Sequence, residues 1–202
     1  MKLYYMTAAC SLASNIALRE AGLKFELVKV DRHSKRAADG LDYLTVNPKG
    51  YVPALTLDEG ATLTENVAIL SWIADHSQAA PLAPPAGSLG RYQLLEWLGF
   101  INSELHKGFS PLFNKEATEE VRQYALAHLV KRLGQLQGLL GKRPYLQGDA
   151  FTVADAYLFV VLSWGQYVKV ELARWPELER YYESIRTRPH VLEALKSEHL
   201  LK

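Results

Sequence analysis

Residues 78–88 read QAAPLAPPAGS, and this stretch constrains the fold more than any other. Proline fixes its own φ and lacks the N–H that helices and sheets need, so three prolines and a glycine stop either element from running through. The segment acts as a stiff connector. Before it the chain alternates strand-like and helix-like signals, and after it every long apolar pattern has helical spacing. The sequence therefore predicts a mixed α/β domain over 1–78, a linker over 79–88 and an all-helical domain over 89–202.

Within the first part, KLYYM is a short aromatic-rich strand. From Ser11, residues Leu12, Ile16, Ala17 and Leu18 recur at helical spacing, with Gly22 as a stop. FELVKVD alternates apolar and polar residues as a second strand. The polar run RHSKRAADGLDYLTVNPKG reads as loop plus a weak helix. VPALTL and ATLT, joined by a turn containing Gly60, form two more strands, and ENVAILSWIADHS forms a helix. The order is βαβαββα. Beyond the linker, RYQLLEWLGFINSELHK, TEEVRQYALAHLVKRLGQLQGLL, FTVADAYLFVVLSWGQYV, PELERYYESIRTRP and VLEALKSEHL are helices. The third is nearly all apolar and is expected at the core. Thr152 and Asp155 resemble a capping box at its start.

Composition excludes several classes. With 23 basic and 22 acidic residues the net charge is +1, and no cluster of Lys and Arg marks a nucleic-acid surface. No run reaches the ~18 apolar residues of a membrane span. The opening residues, Lys2 and then LYYM, do not read as a secretory leader. A single cysteine rules out an internal disulfide or a cysteine-based zinc cluster and fits a reducing compartment.

That cysteine, Cys10, stands at the junction of the first strand and helix. Unpaired N–H groups at a helix start stabilise a thiolate, and Ser11, Ser14 and Asn15 follow as small polar groups. Free cysteine is also a common core residue, and position alone leaves both readings open. Position 13 is Ala13, so redox chemistry needs an external thiol. In KGYVPALTL, a cis Val52–Pro53 bond would present the Val52 backbone to an added peptide strand, whereas base rates favour trans. In LTENVAIL, Glu65 stands at a helix start, able to cap it or to hold an ammonium group beside the free amides. On the first long helix, Leu94, Leu98, Ile101 and Leu105 share one face. Tyr92, Gly99, Ser103 and His106 share another roughly 145° away, with Lys107 adjacent. That second face is either a solvated surface or a binding surface.

These features occur together, in order, in AACSLASNIALREAG, VNPKGYVPALTLDEG, LTENVAIL, SELHKGFSPLF and FTVADAYLF. Over essentially its full length the chain resembles the glutathione S-transferases, most closely the bacterial beta class. The resemblance implies a thioredoxin-like N-terminal domain, an α-helical C-terminal domain and a cytoplasmic homodimer that detoxifies apolar electrophiles with glutathione as co-substrate. It implies that Cys10 lies at the glutathione sulfur, able to form a mixed disulfide, with Ser11 and His106 assisting catalysis, His106 as a cation. By the same resemblance Val52 pairs with the tripeptide backbone beside a cis Pro53. Glu65 and Asn66 hold the γ-glutamyl end and Lys35 contacts the glycine carboxylate. Ser103, Glu104, His106 and Lys107 complete the glutathione site from the second domain. The acceptor pocket would be lined near Ala8, Ala9, Phe109, Pro111, Phe113 and Trp164. Two positions depart from the class: Gly99 where asparagine is frequent, and Asn66 where glycine or serine is common. Disulfide exchange, peroxide reduction, a glutathione-dependent isomerase or dehalogenase and a non-catalytic binding protein are the competing readings. The joint presence of Cys10, Glu65 and His106 argues against the last.

Overall fold

In the computed structural model, which describes residues 1–201, Lys2–Tyr5 (β1) and Glu26–Lys29 (β2) pair in parallel across the helix Ser11–Glu20 (α1). A one-turn helix, Tyr43–Val46 (α2), is capped by the Asp42 carboxylate. Ala54–Thr56 (β3) and Thr62–Thr64 (β4) follow as a hairpin, then Asn66–Asp75 (α3). The sheet order is β2-β1-β3-β4, and β3 runs antiparallel to both neighbours. This is the thioredoxin-like arrangement expected from the sequence.

The register explains the two faces. Leu3 stands opposite both Leu27 and Leu55. Leu3 and Leu55 are fully buried, as are Leu12 and Ile16 of α1 and Ile69, Leu70 and Ile73 of α3. Each such side chain contributes about 1.5–3 kcal/mol by leaving water. One residue along the strand, alternation turns Tyr4 to the other face, where it packs with Met6, Val28, Val30, Ala37, Tyr43 and Ala54.

The chain groups into two compact units. One comprises Met1–Pro84 together with the residues from Arg188 onward, and the other comprises Pro85–Thr187. The last helix, Pro189–Ser197 (α10), thus belongs with the sheet although it follows the helical stretch in sequence. Polar contacts to α1 explain this. Arg188 holds the Glu20 carboxylate through two 2.8 Å bonds, Arg19 pairs with Glu193, and Asn15 donates to Ser197 and Glu198.

The second unit contains Leu89–Phe100 (α4), a π-helical segment Ile101–His106, Lys107–Phe113 (α5), Glu119–Leu140 (α6), Val153–Ser163 (α7), Gly165–Val168 (α8) and Pro176–Arg186 (α9). The expected core helix α7 is buried from Val153 to Leu162. It ends earlier than its apolar pattern implies. The chain turns at Trp164, and at Gly165 a Cβ would collide with the Val170 carbonyl oxygen. Asp155 is fully buried and accepts four bonds of 2.8 Å: from the Thr152 N–H and hydroxyl, the Leu146 N–H and the Tyr181 hydroxyl. Asp155→Ala is expected to destabilise the fold by about 3–5 kcal/mol, because it strands buried donors. Denaturant titration of the variant measures this.

Candidate functional site

Cys10 closes the turn between β1 and α1 and donates its S–H to the Val52 carbonyl, Sγ to O 3.4 Å. Ser11 anchors that turn. Its fully buried hydroxyl lies 3.3 Å from the Met6 N–H, which donates to it, and 3.3 Å from the Met6 carbonyl, to which it donates. This corrects the sequence expectation that the Ser11 side chain assists the thiol, because its hydroxyl is committed inward. Two first-turn amides are also committed, Leu12 to Ala9 and Ala13 to Cys10, which narrows the donors a ligand can use. Ala8, at φ +61°, donates its N–H to Glu198 at 3.2 Å, and Glu198 also accepts from Asn15. Glu198 is fully buried, and burial pushes its carboxyl up to about 7.

The Val52–Pro53 peptide bond is cis, which decides between the two forms that the sequence left open. The start of α3 faces the same region. Glu65 has φ +69°, a conformation unfavourable for a residue with a Cβ, and it leaves an exposed carboxylate paired with Lys49. Asn66 turns its side chain inward. Its amide donates to the Cys10 carbonyl at 3.2 Å and its oxygen accepts from Ser14 at 2.8 Å, so both ends of the side chain are engaged within the protein. Lys35 donates to the Gly50 carbonyl at 3.0 Å. The first unit thus brings Cys10, Val52, Pro53, Asn66 and the Glu65 backbone into one hydrogen-bonded neighbourhood.

In the second unit the π-helical segment departs from the 100° periodicity. Its wider turn rotates His106 away from the exposed stripe that Ser103 keeps. Ser103 bonds back to the Gly99 carbonyl at 3.0 Å, and Lys107 is exposed. His106 reaches Tyr157, Nδ1 to hydroxyl 2.6 Å, and its ring meets Trp164 edge-on at 4.8 Å. The Tyr157 hydroxyl donates to Asn102 Oδ1 at 3.0 Å, so the imidazole donates from Nδ1 and Nε2 keeps its lone pair. Burial, with the Lys107 ammonium adding to it, pushes the His106 pKa down to about 4. The imidazole is therefore neutral at pH 7, and the cation expected there is not available from this residue. Glu104 points to Arg132, 2.6 Å from its Nε, with His128 3.6 Å away. Phe109, Phe113 and Trp164 form one aromatic cluster, with centroids 5.7–6.0 Å apart, and Pro111 lies half-buried beside them in α5.

Sequence reasoning missed Glu198 and Tyr157. Glu198 lies in an ordinary polar run, KSEHL, and Tyr157 is hidden in an apolar helix, so neither left a local signal. Among the described residues no cluster of His, Cys, Asp and Glu could hold a metal, and no helix is long and apolar enough to cross a membrane.

A thiol thus stands at a helix start on a thioredoxin-like sheet, beside the strand entrance at Val52. Comparison with known proteins sharpens this. The model of the glutathione S-transferase N-terminal domain matches residues 1–75, and that of the C-terminal domain matches residues 100–189. Glutathione S-transferase GstA of Escherichia coli O157:H7 is 46% identical over 99% of this chain and 100% of its own. A sphingomonad glutathione S-transferase, solved in complex with glutathione, is 50% identical over all of both chains, with a TM-score of 0.96. A bacterial beta class enzyme of Sphingomonas chungbukensis is 47% identical over all of both chains, again with a TM-score of 0.96. The chain belongs to the glutathione S-transferase family and is an enzyme, a transferase that uses glutathione as co-substrate.

Two buried groups titrate in opposite senses. Glu198 binds a proton in the folded state between its ordinary 4.5 and about 7, so its contribution to stability declines as pH rises through that window, by up to about 3 kcal/mol. Urea unfolding at pH 5 and pH 8 should show this slope in the parent protein and its loss in Glu198→Gln. His106 stays neutral in the folded state between 6.5 and about 4, so its contribution is complete above 6.5 and is lost as pH falls toward 4. NMR titration of the imidazole should show no protonation at pH 6.

Proposed function

We propose that residues 1–78 bind reduced glutathione and that the enzyme conjugates its sulfur to apolar electrophiles in the cytoplasm, where a reducing milieu keeps Cys10 a thiol. The Val52 backbone pairs with the tripeptide, the α3 start and Glu65 take the γ-glutamyl end, and Lys35 takes the glycine carboxylate. The observation that carries this reading is the position of Cys10: at the start of α1, within hydrogen-bonding distance of Val52 and tied through Asn66 to α3. In the second unit Phe113 leaves apolar ring surface exposed beside the buried Phe109 and Trp164. Leu89 and Tyr92 on α4 and Tyr124 on α6 expose apolar surface that a second copy would cover, which supports a homodimer.

In conjugation the glutathione thiolate forms a bond to the electrophilic carbon, and the leaving group departs with the bonding electron pair. Cys10 adds a second activity, thiol–disulfide exchange. Its thiolate attacks the glutathione sulfur of a glutathione mixed disulfide, the S–S bond breaks, and the other thiol leaves as its thiolate. A free glutathione thiolate then attacks the glutathione sulfur on Cys10, releasing oxidised glutathione and restoring the Cys10 thiolate. Cys10→Ala is expected to keep a substantial part of the conjugation rate and to lose exchange with a glutathione mixed disulfide. Unaltered exchange in that variant overturns the covalent role. Absence of heat on titrating the parent protein with reduced glutathione overturns the whole reading.

A further inference from the structure

Three consecutive carbonyls ahead of Pro53 are each held by a side chain. Lys35 Nζ donates to Gly50 at 3.0 Å and Cys10 Sγ donates to Val52 at 3.4 Å. Between them the Tyr51 carbonyl accepts two bonds, from the Tyr43 hydroxyl at 2.6 Å and from Asn47 Nδ2 at 2.7 Å. The two donors are buried, whereas the side chain of the acceptor's residue is exposed. Tyr43 is fully buried with its ring against Tyr4, 5.5 Å between centroids. Asn47 is 2% exposed, and its own oxygen accepts the Lys49 N–H at 3.2 Å. The Tyr51 side chain lies out in solvent. Gly50, at φ +69°, turns the chain where a Cβ would press on the Leu44 side chain at 3.3 Å.

A carbonyl oxygen has two lone pairs, and here both are occupied by anchored donors, so the peptide plane between Tyr51 and Val52 cannot rotate. The same plane carries the Val52 N–H, which a trans peptide points opposite to the carbonyl. Drawing the Tyr51 carbonyl inward to Tyr43 and Asn47 therefore aims the Val52 N–H outward. It also sets the next carbonyl, the one that receives the Cys10 thiol.

We propose that Tyr43 and Asn47 are positioning residues: by fixing one peptide plane they present the Val52 N–H to an incoming peptide and hold the acceptor of the Cys10 S–H. The first half rests on the reading that glutathione pairs with Val52. The second half, control of the thiol, is independent of it. A hydrogen bond from the neutral thiol disfavours the thiolate, so loosening the acceptor makes Cys10 more reactive.

The test uses Tyr43→Phe, which keeps the ring packing, Asn47→Ala and the double variant, with folding followed by circular dichroism. Each single change is expected to raise the KM for glutathione about threefold, and the double change more than the product of the two, because one remaining donor still holds the plane. The kcat at saturating glutathione and the KM for chlorodinitrobenzene should stay within about twofold, a split that general destabilisation does not produce. In ligand-free protein, alkylation of Cys10 by iodoacetamide should accelerate by a comparable factor. A folded double variant with parent values of both the glutathione KM and the alkylation rate overturns the proposal. If the double variant does not fold, Tyr43→Phe alone decides on the same two measurements. If the parent protein takes up no glutathione yet the variants alkylate faster, the tripeptide reading falls and control of the thiol stands. If the alkylation rates are also unaltered, both fall.

Discussion

The turn that carries Cys10 is held from below by Ser11 on Met6 and from the side by Glu198 on Ala8. Everything proposed for the thiol depends on that anchoring. A side chain on an untethered turn samples many positions, and a nucleophile must be held close to one. The anchors are short polar contacts between buried groups, where losing one partner costs the desolvation of the other. The non-glycine residues with positive φ in this unit include Ala8, Lys35 and Glu65, and all three border the thiol, the Gly50 carbonyl or the α3 start. Backbone held in such conformations persists only where its surroundings over-determine it.

The electrostatics of the two units follow from burial more than from charge pairing. His106 is kept neutral by its surroundings, and its hydrogen bonds to Tyr157 and through it to Asn102 assign the lone pair to Nε2. An imidazole in that state accepts a proton or a hydrogen bond and does not supply a positive field. At the start of α1 the source of positive potential that does not titrate is the helix dipole, which acts at short range and is little affected by pH.

Much of the fold was legible because its elements are short, strongly patterned and punctuated by proline or glycine. KLYYM, the periodic run from Ser11 and the hairpin around Gly60 became strand, helix and turn as the spacing predicts. Three features were not legible. The grouping of α10 with the sheet depends on Arg188 meeting Glu20 and on Asn15 meeting Glu198, pairings separated by 168 and 183 positions in the chain. The rotation of His106 arises from a π turn, which 100° bookkeeping cannot anticipate. The inward turn of Ser11 reflects a choice between backbone partners and solvent that residue type leaves open. Ser11 and His106 stood out by residue type and position, whereas Arg188, Glu20 and Glu198 left no signal of their own.

Because the sheet unit is completed by residues from Arg188 onward, it is discontinuous in the order of synthesis. A nascent chain can lay down β1 to β4 and pack α1 on α3 long before the ribosome has made Glu198. Until that carboxylate emerges, the Ala8 N–H lacks the partner that fixes it. The turn bearing the thiol therefore precedes by 190 positions the residue that completes it, and its final shape waits until α10 and Glu198 have been translated.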